Sequence, residues 1–315
     1  MLWLAGLLVA AVAAGLPLVL SEYAVHVLIE ILLLAYLGSA WNLAGGFAGL
    51  FSFGHAAFYG LGAYTSTVLL LRLGVSPWLG MLAAALLGGA LGFGIGALCF
   101  RYRLRGPILA LATLAVAEMF RVLAINLRPV GGAMGLLIPL QGDAPLQLQF
   151  AQKRAYYWVM LVLVLGVLAV TVALTRSRWG YHFQAVRDDE EAAVCLGVNV
   201  FRTKCAAMML SGALTAVGGV FYAQYFFFID PPSMFGSGTS VDILLPAIVG
   251  GAGTVTGPLV GALLLGPLSE ITRGYFRAYV GVHLIVYGLI LLAVVLYLPR
   301  GVVRAWRRRP RGVAA

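Results

Sequence analysis

The sequence predicts an all-α polytopic membrane protein of about 8–10 transmembrane helices, some of them broken or re-entrant. Three observations carry that reading. The chain of 315 residues is 62% hydrophobic with a mean hydropathy of +0.98, more apolar surface than one globular core could cover. Its apolar residues fall into nearly uncharged runs close to the roughly 20 residues a helix needs to cross a bilayer. A run such as MLAAALLGGALGFGIGALCF (81–100) also lacks the period-two alternation of a membrane β-barrel strand.

In chain order the runs lie near 2–20, 24–44, 47–71, 78–100, 107–127, 156–175, 205–229, 243–265 and 279–298. The first, MLWLAGLLVAAVAAGLPLVL, has small residues near Ala11-Val12-Ala13 as a signal peptide would, but it lacks a basic leader and another apolar span follows at once. It reads as a retained helix. The stretch 42–64, NLAGGFAGLFSFGHAAFYGLGAY, holds six glycines between Gly45 and Gly62, and 241–265, VDILLPAIVGGAGTVTGPLVGALLL, holds Pro246, Gly250, Gly251, Gly253, Gly257 and Pro258. Each interior Gly costs a helix roughly 1 kcal/mol and Pro about 3, so both segments are expected to be interrupted. Paired interruptions of this kind point to a transport pathway, because exposed backbone inside a membrane must line a cavity or lie against protein. Tyr156, Tyr157 and Trp158 open the next span as interfacial anchors. Residues 1–299 read as one transmembrane domain and 300–315 as a basic tail.

The net charge of +10 does not indicate nucleic acid, because of where the charge sits. Fourteen of 21 basic residues fall in three clusters: Arg101, Arg103 and Arg105; Arg176, Arg178, Arg187, Arg202 and Lys204; Arg300, Arg304, Arg307, Arg308, Arg309 and Arg311. This is the positive-inside pattern, so both termini and 176–204 are expected in the cytoplasm and 128–155 outside, in a bacterial inner membrane. Between Lys204 and Arg300 the runs number three, and an odd number cannot begin and end on one side. Parity therefore also requires 241–265 to be two half-helices.

The segment GYHFQAVRDDEEAAVCLGVNVFRTK (180–204) carries seven charged residues in a chain that is only 10% charged. Its acids suit the first turn of a short helix opening at Arg187, and Gly197 suits its end. Val186, Ala193, Leu196 and Val194 would make a small apolar stripe able to dock in a groove on another protein. From Ala185 to Lys204 the pattern A-V-R-D-D-E-x-A-A-x-x-L-G-V-N-V-x-x-x-K resembles the coupling loop of LivM-type permeases of branched-chain amino acid ABC importers, part of a wider branched-chain amino acid, urea and ribose permease family. Ser52-Phe53-Gly54-His55-Ala56-Ala57-Phe58, Gly131-Gly132-x-x-Gly135-Leu136 and Gly250-Gly251-x-Gly253-Thr254 with Gly257-Pro258 agree, over about 40–300. Ala133 and Met134 depart from the polar residues the family often carries there.

The resemblance implies a permease subunit that pairs with a sister permease, two cytoplasmic ATPases and an extracytoplasmic binding protein. The ATPases would use ATP and magnesium; this chain has no GxxxxGK[ST] pattern and is expected to bind no cofactor itself. Arg187, Asp188, Asp189, Glu190, Ala192, Ala193 and Gly197 are the expected ATPase-coupling residues. Ser52, His55, Gly250, Gly251, Gly253 and Thr254 are candidates for the translocation pathway. Glu118 and Arg121, three apart on one helix, are expected to form a structural ion pair that locks two helices. Cys99, Cys195 and Cys205 lack metal or disulfide spacing, and no catalytic constellation is present. An amide- or urea-type importer permease is the nearest alternative. A proton-coupled transporter using Glu30, Glu118 and Glu270 is a more distant one.

Overall fold

The computed structural model describes residues 15–18, 20–275, 288 and 301–303, with residues 273–275 as backbone only. The expected spans at 2–20 and 279–298 and the tail 300–315 lie almost wholly outside the described residues.

Helix α1 (Glu22–Asn42) starts at Ser21, whose hydroxyl accepts from the Ala24 N–H, and runs into a π-helical turn over Leu43–Phe47. An unwound segment follows to Gly54, and α2 (His55–Leu73) ends at Gly74 in the left-handed conformation. Pro77 opens α3 (Pro77–Arg101) in the first turn, where its missing N–H costs nothing. Then come α4 (Gly106–Asn126), α5 (Lys153–Arg176), the short α6 (Arg178–Asp188) and α7 (Glu190–Cys195), and the long α8 (Val200–Phe226). After α9 (Pro231–Phe235), α10 (Ser237–Gly250) and α11 (Gly257–Tyr275) are separated by a non-helical turn. The expected break in 241–265 is present.

Among the described residues five helices are long and apolar enough to cross a membrane: α1 with its π-helical turn, α3, α4, α5 and α8. The chain is thus an all-α polytopic membrane protein. Helix α2, read from sequence as part of an apolar span at 47–71, begins only at His55 and is walled in by protein along most of its length.

Helix α8 is the axis of the bundle, and small residues let its neighbours come close. A Cβ on Gly92 of α3 would lie 2.4 Å from the Met208 carbonyl, and one on Gly62 of α2 would lie 2.0 Å from the Ala216 carbonyl. Antiparallel α1 is stitched to α8 along its length. The Tyr225 hydroxyl meets His26 Nδ1 at 2.5 Å, Tyr36 donates to the Leu214 carbonyl at 2.9 Å, and Ser211 donates to the Ala40 carbonyl at 2.7 Å.

These contacts sort the loops to two ends of the bundle. At one end lie Arg101–Arg105 and 176–204. At the other, β1 (Leu136–Leu137) pairs antiparallel with β2 (Phe228–Ile229), and Trp78 donates to the Pro145 carbonyl at 2.9 Å, which holds 128–152 over the tops of α3 and α8. The charged loop and 128–152 therefore stand at opposite ends. Helix α10 runs toward the basic end and α11 runs back from it, so the pair forms one re-entrant excursion, while the span at 279–298 that enters the parity count lies outside the described residues.

Candidate functional site

Two features converge at the basic end: the charged loop, and the two interruptions in the helices above it. The loop contains two helices where the sequence suggested one opening at Arg187. Asp188 closes α6, and Asp189, with extended backbone, caps α7 by accepting from the Glu191 N–H at 2.8 Å and the Ala192 N–H at 3.0 Å. An aspartate that can bond the N–H groups just ahead of it offers the chain a new helix start in place of continued helix. Gly197, at φ +80°, ends α7 as expected, with the Val198 N–H returning to the Ala193 carbonyl at 3.0 Å. Asn199 then caps α8 through the Arg202 N–H at 3.0 Å.

The apolar stripe is divided between two surroundings. Phe183, Val186 and Ala193 turn into the chain's own body, Ala193 being only 1% exposed, whereas Val194 and Leu196 face outward. Glu190 faces inward too: one carboxylate oxygen pairs with Arg105 at 2.8 Å and the other with Lys204, whose ammonium also lies 5.4 Å from the Phe100 ring. Glu190 and Ala193 thus brace α7 against the body from its inner face, contrary to the expectation that they offer surface to a partner. Asp188, Glu191 and Ala192 remain exposed.

Arg187 reaches upward. Its Nη1 donates to the Gly46 carbonyl at 2.6 Å, in the π-helical turn that ends α1. Gly46 has no room for a side chain, because a Cβ would sit 1.8 Å from Asn42 Oδ1 and 2.4 Å from Gly253 N. Asn42 bridges the two interruptions: its Oδ1 accepts from the Gly253 N–H at 2.8 Å and its Nδ2 donates to the Thr254 carbonyl at 2.9 Å. Thr254 closes the turn on itself by donating to the Gly251 carbonyl at 2.7 Å. Gly251 and Gly253 both have positive φ, so the 251–256 turn needs glycine there. Gly250 packs so tightly that a Cβ would lie 1.7 Å from the Gly257 carbonyl. Gly250, Gly251, Gly253 and Thr254 are the pathway candidates named from sequence, and Asn42, which ties their turn to α1, is not among them. A lone asparagine before a glycine-rich run was the available signal.

Ser52 and His55 belong to a different neighbourhood. Ser52 is fully buried; its carbonyl accepts from Trp41 Nε1 at 2.8 Å and its hydroxyl from the Gly54 N–H at 3.2 Å. His55 is fully buried and lies 2.7 Å from the Ser211 hydroxyl. Because that hydroxyl donates to Ala40, His55 Nε2 is the donor in their bond. Both residues pin α2 to the bundle and face no open space. Thr113 fixes α4 to the same segment by accepting from the Phe53 N–H at 3.1 Å.

Glu118 and Arg121 do pair, with Arg121 Nε 3.0 and 2.9 Å from the two carboxylate oxygens. Both sit on α4, however, and on its uncovered side, so they lock no two helices. Glu30 and Glu270 line a cavity of about 320 Å³ between α1, α8, α10 and α11 with Asp242, Tyr59 and Tyr222, and Glu118 is not part of it. His26 stands 3.5 Å from Glu30, and Tyr23 donates to Glu270 at 3.1 Å. Among the described residues no group of three or more His, Cys, Asp or Glu could hold a metal ion.

The comparisons with known proteins agree with this architecture. The family described as branched-chain amino acid transport system / permease component matches residues 23–295. The high-affinity branched-chain amino acid transport system permease protein LivM of Escherichia coli is 28% identical over 323 residues, covering 95% of this chain and 74% of that protein. LivH of the same organism is 25% identical over 284 residues, covering 85% and 90%. The L-arabinose ABC transporter permease protein AraH of Azospirillum brasilense is 28% identical over 220 residues, covering 69% and 62%. No solved structure matches the chain. With a family match across most of its length and a fold of interrupted apolar helices, the chain belongs to the branched-chain amino acid transport system permease family.

Proposed function

We propose that this chain is a membrane-spanning subunit of an ATP-driven importer for branched-chain or related hydrophobic amino acids, lying in the cytoplasmic membrane with both termini and the 176–204 loop in the cytoplasm. It forms half of a translocation pathway with a sister permease, receives substrate from an extracytoplasmic binding protein, and is driven by two separate ATPase subunits that use ATP and magnesium. The chain itself carries out no hydrolysis.

The observation that supports this reading is the continuous linkage from Arg187 to Gly46, and from there through Asn42 to Gly253 and Thr254. A push on α6 and α7 would reach both interrupted segments through a carbonyl and one amide side chain, with no long lever between. Coupling needs a rigid contact of this kind, because the chain lacks a nucleotide motif. The relatives' names supply the substrate class.

The test is a variant on the outward side of α7. Ala192→Arg adds a long side chain where Ala192 is exposed, so the membrane body should insert normally while ATPase co-purification and leucine uptake into vesicles both fall at least tenfold. Full recovery of the ATPase with undiminished uptake would exclude α7 as the docking element.

A further inference from the structure

We infer that the uncovered face of α4 carries a subsite for the charged groups of a zwitterionic amino acid, with Arg121 receiving the carboxylate and Glu118 the ammonium. This rests on the proposed transport function and adds a location and a recognition chemistry to it.

Glu118 stands about 18 Å along a helix of about 31 Å, counted at 1.5 Å per residue, so it falls near the middle of the hydrocarbon layer. At that depth its side chain is 49% exposed and that of Arg121 31%. The packed face of α4 is a different one, made of Leu109, Ala110, Thr113, Ala117 and Ala124. Charged groups turned toward acyl chains at mid-membrane are strongly unfavourable, and such residues face water or protein instead. The remainder of the same face is apolar. Ala115 and Val122 lie one helical turn to either side of Glu118, with Met119 beside it, and all three are exposed. The face therefore presents one pair of opposite charges set in a small, adaptable apolar wall.

That arrangement complements an amino acid with a hydrocarbon side chain. Arg121 and Glu118 satisfy each other, Nε reaching both carboxylate oxygens. An entering zwitterion offers the same two charges: its carboxylate takes the planar guanidinium fork, and its ammonium takes the carboxylate so released. No net charge is added to the membrane interior when it binds, and none is stranded when it leaves, because the pair closes again. A transport pathway needs this balance, with binding strong enough for entry and weak enough for exit. Uncharged sugars and amides bring no pair of charges to exchange for those of Glu118 and Arg121.

The test uses the complete transporter, expressed with the partner chains that co-purify with it, in vesicles assayed for L-leucine uptake. Ala115→Cys and Val122→Cys, each in a chain with Cys99, Cys195 and Cys205 replaced by Ser, are treated with a charged methanethiosulfonate reagent. Both positions should react, and saturating L-leucine should slow the reaction at least threefold. Leucine methyl ester and 4-methylpentanoate, each lacking one of the two charges, should not slow it, and Glu118→Gln should remove the protection by leucine. Failure of both cysteines to react would put this face against lipid or a sister permease and overturn the inference. Reaction that leucine does not slow would make it a wetted wall without a subsite and overturn it equally. Parent vesicles that take up no leucine would overturn the proposed function and this inference with it, whereas uptake without protection overturns this inference alone.

Discussion

Replacing Glu190 with Gln isolates the charge beneath α7 without changing its shape. Lys204 is only 6% exposed, and its ammonium has the Glu190 carboxylate on one side and the Phe100 ring on the other. Removing one partner of a buried ion pair costs about 3–5 kcal/mol, because the charge left behind is uncompensated, whereas replacing both partners with apolar groups is often neutral. Here the low end applies: the Glu190 side chain is 22% exposed, and the contact with Phe100 survives. Glu190→Gln should therefore destabilise by about 3 kcal/mol, a fall of about 6 °C in melting temperature at about 2 °C per kcal/mol. Two cysteines report on this region directly. Cys99 and Cys205 are buried next to Phe100 and Lys204, so a thiol-reactive dye in a Cys195→Ser background reads the opening of this corner on heating. Lys204→Met alone should cost less than Glu190→Gln, because the carboxylate it leaves keeps Arg105 at 2.8 Å. The double variant Glu190→Gln with Lys204→Met should recover most of the loss. Melting within 1 °C of the parent for Glu190→Gln, or a double variant whose loss equals the sum of the singles, would refute the reasoning that this pair is buried and coupled.

Other expectations follow from the same end of the bundle. Asn42→Ala removes two hydrogen bonds and strands the Gly253 N–H, a cost of about 2–3 kcal/mol that the same dye assay would register, and leucine uptake should fall with it. Gly46→Ala should be at least as damaging although it deletes no bond, because its Cβ has no space beside Asn42; an unchanged melting temperature would contradict that crowding. Arg187→Lys should lower uptake severalfold with little change in melting, because lysine can restore a charge but not the angle at which Nη1 meets the Gly46 carbonyl. Leu140→Cys, exposed at the end opposite the charged loop, should react with an impermeant thiol reagent from outside intact cells, and reaction from the cytoplasmic side alone would reverse the proposed orientation.

What the sequence disclosed, and what it did not, follows from the range of the forces involved. Breaks at 48–54 and 251–256 were legible because Gly and Pro act on their own backbone, and parity gave an independent count. The split of the charged loop at Asp189 was missed, since a run of acids suits one helix start as well as a cap followed by another start, and only the position of the body beneath chooses between them. Outward and inward residues on α7 were misassigned for the same reason. Glu190 looks like a surface residue until Arg105, from a distant part of the chain, and Lys204, from the start of α8, are brought against it, and Ala193 until it is buried in the chain's own body. His55 and Ser52 suggested a pathway by their chemistry, yet their partners, Ser211 and Trp41, make them fastenings of α2.

Glu118 shows the opposite case. Its pairing with Arg121 could be anticipated from their spacing, but spacing does not say which way a helical face looks, and a structural lock was the natural reading. Only the packing of α4 through Thr113 onto the Phe53 segment, and through Ala117 and Ala124 onto the bundle, leaves the charged pair on the uncovered side. These two polar assemblies are therefore of different kinds: the Glu118–Arg121 pair and the chain of bonds at the two interruptions. The one joining Arg187, Gly46, Asn42 and Gly253 is anchored to backbone atoms of two interrupted segments, so under the proposed function it suits the transmission of force. Among the described residues the Glu118–Arg121 pair bonds only within its own helix, so it can change partners without breaking a contact between helices, which is the property a ligand contact requires.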